Sequence, residues 1–166
     1  VIVSVATEVD ASCDRVWEVI SDIESAPLVI SSVVSVERLS DSDKKVFKEG
    51  TRWKEIRTYE GKHVTQIKTV TSIRKESGGY SVGINVGYPA EYKDYTNTST
   101  LEIRPLDGQK GKSLLIGSFG IMPGDWKSRI VFCLLGRRIA KQGEVPFLAE
   151  LNEIAVAATR KESHAE

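Results

Sequence analysis

The chain is poor in the residues that most often carry chemistry by themselves. Among its 166 residues the only histidines are His63 and His164, far apart and without metal-ligand spacing, so neither a zinc site nor a His-based triad is supported. Two cysteines, Cys13 and Cys133, are too few for a disulfide framework and form no C-x-x-C pair, and both are expected as reduced, buried thiols. No apolar run approaches the about 20 residues that span a bilayer, so stable membrane insertion is not expected. Lys+Arg and Asp+Glu balance at 23 each, which leaves no global field to recruit nucleic acid or an anionic membrane. Gly111-Lys112-Ser113 resembles the end of a phosphate-binding loop, but Leu106 stands where that loop needs a glycine and a strand follows. Neither metal nor cofactor is therefore expected. No targeting signal stands out and the default location is cytoplasmic, although a start at Val1 rather than Met leaves room for a removed leader.

What is present is alternation. Val1 to Val9 reads as a strand. Ser12 then serves as an N-cap, with Ala11 and Val16 placed to staple the start of a helix that carries Val16, Trp17, Val19, Ile20 and Ile23 at helical spacing. Trp17 is expected in the core. Pro27 interrupts this pattern, and a second short helix or turn is expected between Glu24 and Ser31. Further strands are expected at Val33–Leu39, Gly50–Glu60, Lys62 onward, Tyr80–Val86, Tyr92–Ile103 and Ser113–Ile121, with a loop at Asp41–Lys48. Asn97-Thr98-Ser99 matches a glycosylation sequon, but it falls in one of these strands and is taken as chance. Asp125 caps a long helix from Trp126 to about Glu162, in which Pro146 is expected to cause a kink or break.

The stretch GTRWKEIRTYEG, from Gly50 to Gly61, is the most informative. One face of this strand carries Arg52, Lys54, Ile56, Thr58 and Glu60 and reads as solvated. The other carries Trp53, Glu55, Arg57 and Tyr59, two aromatics bracketing an acid and a base. Charges on a face that asks for burial are costly unless paired or lining a wet hollow. Glu60-Gly61 reads as a two-residue hairpin turn, which sets Tyr59 opposite Lys62, Arg57 opposite Val64 and Glu55 opposite Gln66. Val64, Gln66 and Val70 then share the face of Glu55 and Arg57, Lys68 is the anomaly on that face, and His63 points outward. Tyr95, Asn97, Ser99, Leu101 and Ile103 share one strand face, apolar at one end and polar at the other, as a strand crossing from core to cavity would be.

In order, the elements are a strand, two short helices, six strands and a long helix, in a single α+β domain over 1–166. Strands joined by turns imply an antiparallel sheet that wraps a helix. VDASCDRVWEVISDIES and GTRWKEIRTYEGK, together with the closing ELNEIAVAATRKE, resemble START-like helix-grip proteins (the SRPBCC superfamily) of the polyketide cyclase/dehydrase and lipid-transport branch. The resemblance implies a helix-grip fold, a curved seven-stranded antiparallel sheet around the C-terminal helix with a lipophilic cavity between them. It further implies binding or transport of a hydrophobic small molecule such as a lipid or polyketide, catalysis in only some members, and protein interaction in others.

Glu55 and Arg57 are thus candidates for three roles: a bracing ion pair, the polar corner for a ligand head, or a cyclase/dehydratase acid–base pair. An adjacent Arg lowers a carboxyl pKa and argues against Glu55 as a base. The expected pocket lining is Trp53, Glu55, Arg57, Tyr59, Gln66, Tyr95, Asn97, Ser99 and Phe119, with Trp126 as a further candidate wall at the entrance. Arg137, Arg138 and Lys141 form a basic patch, read as a solvated face or as a contact for anionic lipid or a partner.

Overall fold

Alternation becomes a continuous antiparallel sheet in a computed structural model of the protein, which describes residues 2–40, 45–89 and 95–162. Among these residues the elements are β1 (Ile2–Val9), α1 (Cys13–Ser21), a 3-10 turn (Ile23–Ser25), α2 (Ala26–Val29), β2 (Val33–Arg38), β3 (Arg52–Tyr59), β4 (Lys62–Glu76), β5 (Gly79–Gly87), β6 (Tyr95–Pro105), β7 (Ser113–Pro123) and α3 (Trp126–Glu162). The expected strand residues 92–94, part of the expected 41–48 loop, and His164 lie outside the described residues. The strand order is β1-β7-β6-β5-β4-β3-β2, so β1 and β2 form the edges.

Local signals account for the joints. Ser12 Oγ accepts a hydrogen bond from the Arg15 amide at 3.3 Å and caps α1, while Ala11 and Val16 on either side of it are fully buried. Pro27 lies in the first turn of α2, where its missing N–H costs nothing, so it starts a helix instead of ending one. Glu60 and Gly61 take φ of 48° and 76°, the left-handed pair of a two-residue hairpin turn, and the expected register of Tyr59, Arg57 and Glu55 against Lys62, Val64 and Gln66 follows. Asp125 Oδ1 accepts from the Ser128 amide at 2.9 Å at the start of α3. That helix runs unbroken through Pro146.

Two clusters make the core. One joins β1, α1, β6, β7 and the last turns of α3 through Val9, Val16, Ile103, Leu115, Leu151 and Ile154. The other joins Ile23, Trp53, Val70, Val82 and Ile84 across the middle of the sheet. Burying a side chain of this size contributes about 1.5–3 kcal/mol. Trp17 bridges both clusters, half-buried, stacked on Tyr80 at 4.8 Å and edge-on to Phe47 at 5.7 Å. Gly117 lets α3 approach β7, since a Cβ there would lie 2.6 Å from Phe147 Cζ. Cys13 is buried as expected, and burial pushes its thiol pKa up. Cys133 is exposed, contrary to expectation, because it projects from a part of α3 that touches the sheet along only one stripe.

Candidate functional site: a charged brace beside a polar inner face

Strand pleating puts Trp53, Glu55 and Arg57 on the inner face of β3, with Lys68 of β4 directly opposite Trp53. Glu55 is only 3% exposed. Its Oε1 accepts from Arg57 Nε at 2.5 Å and from Lys68 Nζ at 2.6 Å, and its Oε2 accepts from the Trp53 indole at 3.1 Å. Arg57 then reaches α3: Nη1 and Nη2 donate to the two carboxylate oxygens of Glu150 at 2.7 and 3.0 Å. The Ser32 hydroxyl, just before β2, donates to Glu150 Oε1 at 3.0 Å. Two carboxylates and two cations thus close a balanced network that ties β3 and β4, near one edge of the sheet, to α3 and leaves its acid and base engaged with each other.

The electrostatics follow from this geometry. Burial by itself would raise the Glu55 pKa, but the charges of Lys68 and Arg57, with the hydrogen bonds from Lys68 and Trp53, outweigh it and bring it down from 4.5 to about 2. Arg57 moves up: Glu150 and Glu55 outweigh its desolvation. Lys68 moves down, because desolvation and the neighbouring Arg57 charge exceed the pull of Glu55 and Glu150. Glu55 is therefore a fixed anion at neutral pH, unsuited to taking a proton.

Beside the brace the inner face turns polar and less tightly covered. Gln66 stands opposite Glu55 in the sheet but donates to the Tyr88 hydroxyl at 3.3 Å, so it is not the partner of Glu55 and Arg57 that the register suggested. The longer, charged Lys68 takes that role from one diagonal step away. Asn97 Nδ2 donates to the same Tyr88 hydroxyl at 2.8 Å. Asn97 is 9% exposed, and its Oδ1 is buried without a hydrogen-bond partner among the described residues. Tyr95 lies at the same end of β6, 6.0 Å between ring centres from Phe132 of α3, with its hydroxyl 3.5 Å from Ser128 Oγ.

The expected lining is only partly assembled. Glu55 and Arg57 meet, as do Gln66 and Asn97 through Tyr88. Trp53 is core, 3% exposed and packed with Ile23, Val70 and Val82. Tyr59 is 61% exposed at the hairpin tip, where no described element covers it. Phe119 packs edge-on to Phe147 at 5.2 Å and against Gly143, in the contact between β7 and α3. Ser99 is half-buried opposite Phe119. Trp126 is exposed. Surface depressions of about 580 Å³ at the β6–β7 turn and about 350 Å³ between α2 and α3 lie away from the brace. Sequence reasoning missed Glu150 and Tyr88. The signal for Glu150 was its place on the stripe of Phe147, Leu151, Ile154 and Ala158, where a carboxylate needs a cation.

Residues 9–86 match the family described as polyketide cyclase/dehydrase and lipid transport. A search of curated proteins finds no matching sequence. Similar solved structures include a START superfamily protein from Mycobacterium smegmatis, 16% identical with a TM-score of 0.67, covering 99% of each chain. An aromatase/cyclase from a Streptomyces species is 15% identical with a TM-score of 0.65, covering 97% of this chain and 94% of that one. A point mutant of norcoclaurine synthase from Thalictrum flavum, bound to a transition-state analogue, is 17% identical with a TM-score of 0.65, covering 98% and 96%. At these identities the likeness is one of fold, and it agrees with the strand order and the C-terminal helix described above. The chain thus has the helix-grip fold, and its residues 9–86 match the family described as polyketide cyclase/dehydrase and lipid transport.

Proposed function

We propose that the protein binds a hydrophobic small molecule, a lipid or polyketide, between the inner sheet face and the first half of α3. The observation that carries this reading is Asn97 Oδ1, a buried acceptor with no hydrogen-bond partner among the described residues, beside Gln66, Tyr88 and Tyr95. Leaving such a group unsatisfied costs about 1–3 kcal/mol, which a ligand hydroxyl or N–H would recover. Half-buried Tyr95, Phe119 and Phe132 nearby supply apolar surface, and binding sites of this kind are mainly apolar with few placed polar groups. Native mass spectrometry and displacement of a lipophilic dye test the proposal. Uptake weakened by Asn97→Leu supports it, and absence of uptake in the wild type ends it.

One observation favours a second reading, a cyclase/dehydratase-type enzyme. Lys68 projects onto the inner face with its amine 2.6 Å from Glu55 Oε1, so an acid–base role for the brace would rest on this Lys68–Glu55 pair, with Arg57 holding Glu55 in place. Turnover of a polyketide-like substrate that is lost in Lys68→Met, while dye binding persists and circular dichroism shows the variant still folded under the assay conditions, would support it. Persistence of that turnover in Lys68→Met would exclude it.

A further inference from the structure

The first half of α3 touches the body of the protein along one stripe only. Ser128, Phe132, Gly136, Ile139, Gly143, Phe147 and Glu150 are half-buried at successive spacings of three and four, whereas most residues between them are exposed. Off that stripe, at about 100° of rotation per residue, Ile130, Val131 and Leu134 point away from the sheet. They are 50%, 48% and 78% exposed, beside Trp126 at 67% and Met122, at the end of β7, at 65%. Closure of α3 over the sheet would bury the stripe and leave these side chains outside, so a closed pocket does not account for them.

Charge is segregated on the same helix. From Trp126 to Val145 the chain carries Lys127, Arg129, Arg137, Arg138 and Lys141 against the single anion Glu144, although the protein as a whole is neutral. Arg137, Arg138 and Lys141 are all exposed and follow the apolar tip on its outward side, about one to two turns beyond Leu134. A greasy tip bearing a Trp, with a basic collar behind it, matches an interfacial helix whose apolar part enters a bilayer by about 5–10 Å while the cations meet anionic headgroups. No described helix is long and apolar enough to cross a membrane, so the contact is with the surface.

We propose that the outward face of α3 around Ile130, Val131 and Leu134, with the collar Arg137, Arg138 and Lys141, docks the protein on anionic lipid bilayers. The inference is independent of what the inner face binds. The test is sedimentation of the full chain with phosphatidylcholine vesicles with and without phosphatidylglycerol, read together with tryptophan emission. The expected results are binding that requires phosphatidylglycerol and fades with added salt, and a blue shift that is lost in Trp126→Phe. The Arg137→Glu/Arg138→Glu variant should bind at least about tenfold more weakly. Leu134→Asp should also lose binding with its melting temperature unchanged, since the residue supports nothing in the fold. Failure to sediment with anionic vesicles overturns the proposal, as does binding indifferent to both variants. So does a stable dimer in solution that Leu134→Asp dissociates, which would make a second copy the occupant of this face.

Discussion

Lys68 Nζ lies 2.6 Å from Glu55 Oε1, one diagonal step across β3 and β4, and the two side chains are among the least exposed charges in the sheet. This contact turns an anomaly of the inner face into the anchor of a four-residue charge network. Breaking one side of such a buried pair costs about 3–5 kcal/mol, whereas replacing both sides with apolar groups is often close to neutral. Lys68→Met and Glu55→Leu should each lower stability by that order. The double variant should be more stable than the sum of the two predicts, with a coupling of about 1 kcal/mol or more in urea unfolding. Additive losses would show that the pair is not a brace.

Stability should also depend on acid through Glu55. Its pKa is lower in the folded protein, about 2, than its ordinary 4.5, so the unfolded chain binds more protons between these values. The stabilisation is complete above about pH 5 and is lost as pH falls through the window from 4.5 to about 2. Its size is at most about 3 kcal/mol. Urea midpoints at about pH 6 and about pH 3 should converge in Glu55→Gln relative to wild type. Equal acid sensitivity in the two proteins would contradict the assignment.

Arg57 holds both oxygens of Glu150, a geometry that lysine cannot reproduce. Arg57→Lys should cost about 1.5–3 kcal/mol and accelerate amide exchange in α3 around Glu150 more than in β1. Uniform exchange across the molecule would place the loss elsewhere.

Gly117→Ala places a methyl 2.6 Å from Phe147 Cζ and 3.0 Å from Leu151 Cδ1. The Phe147 ring must shift, which is expected to cost about 1–3 kcal/mol. Phe147→Leu in the same chain should recover part of this, measured by thermal unfolding. An unaffected melting temperature in Gly117→Ala would show that α3 is not packed this closely.

The cysteines should separate cleanly. Cys133 is exposed and Cys13 is buried with its pKa raised. A thiol reagent should modify one cysteine in the native protein and both in denaturant, with Cys133→Ser abolishing the native reaction. Rapid native modification of Cys13 would mean that the start of α1 opens.

Most of the fold was legible from local rules. Alternation marked the strands and Ser12 the start of α1, while Glu60-Gly61 fixed the register that put Glu55, Gln66 and Lys68 side by side, because hairpin pairing is decided within a few residues. The contradiction on that face, two cations and an acid where apolar side chains belonged, was visible as well. What resolves it was not, since Glu150 comes to Arg57 from 93 positions along the chain. Which residues would be covered was also beyond local reading. Tyr59 and Trp126 have the chemistry of buried residues, yet among the described residues they are exposed, and Trp53, on the same face as Tyr59, lies under Phe47 and Ile23. Pattern and turn chemistry determine which side of an element a residue occupies. Only the packing of distant elements decides whether that side meets protein, ligand or solvent, because burial belongs to the whole surface and not to any single stretch.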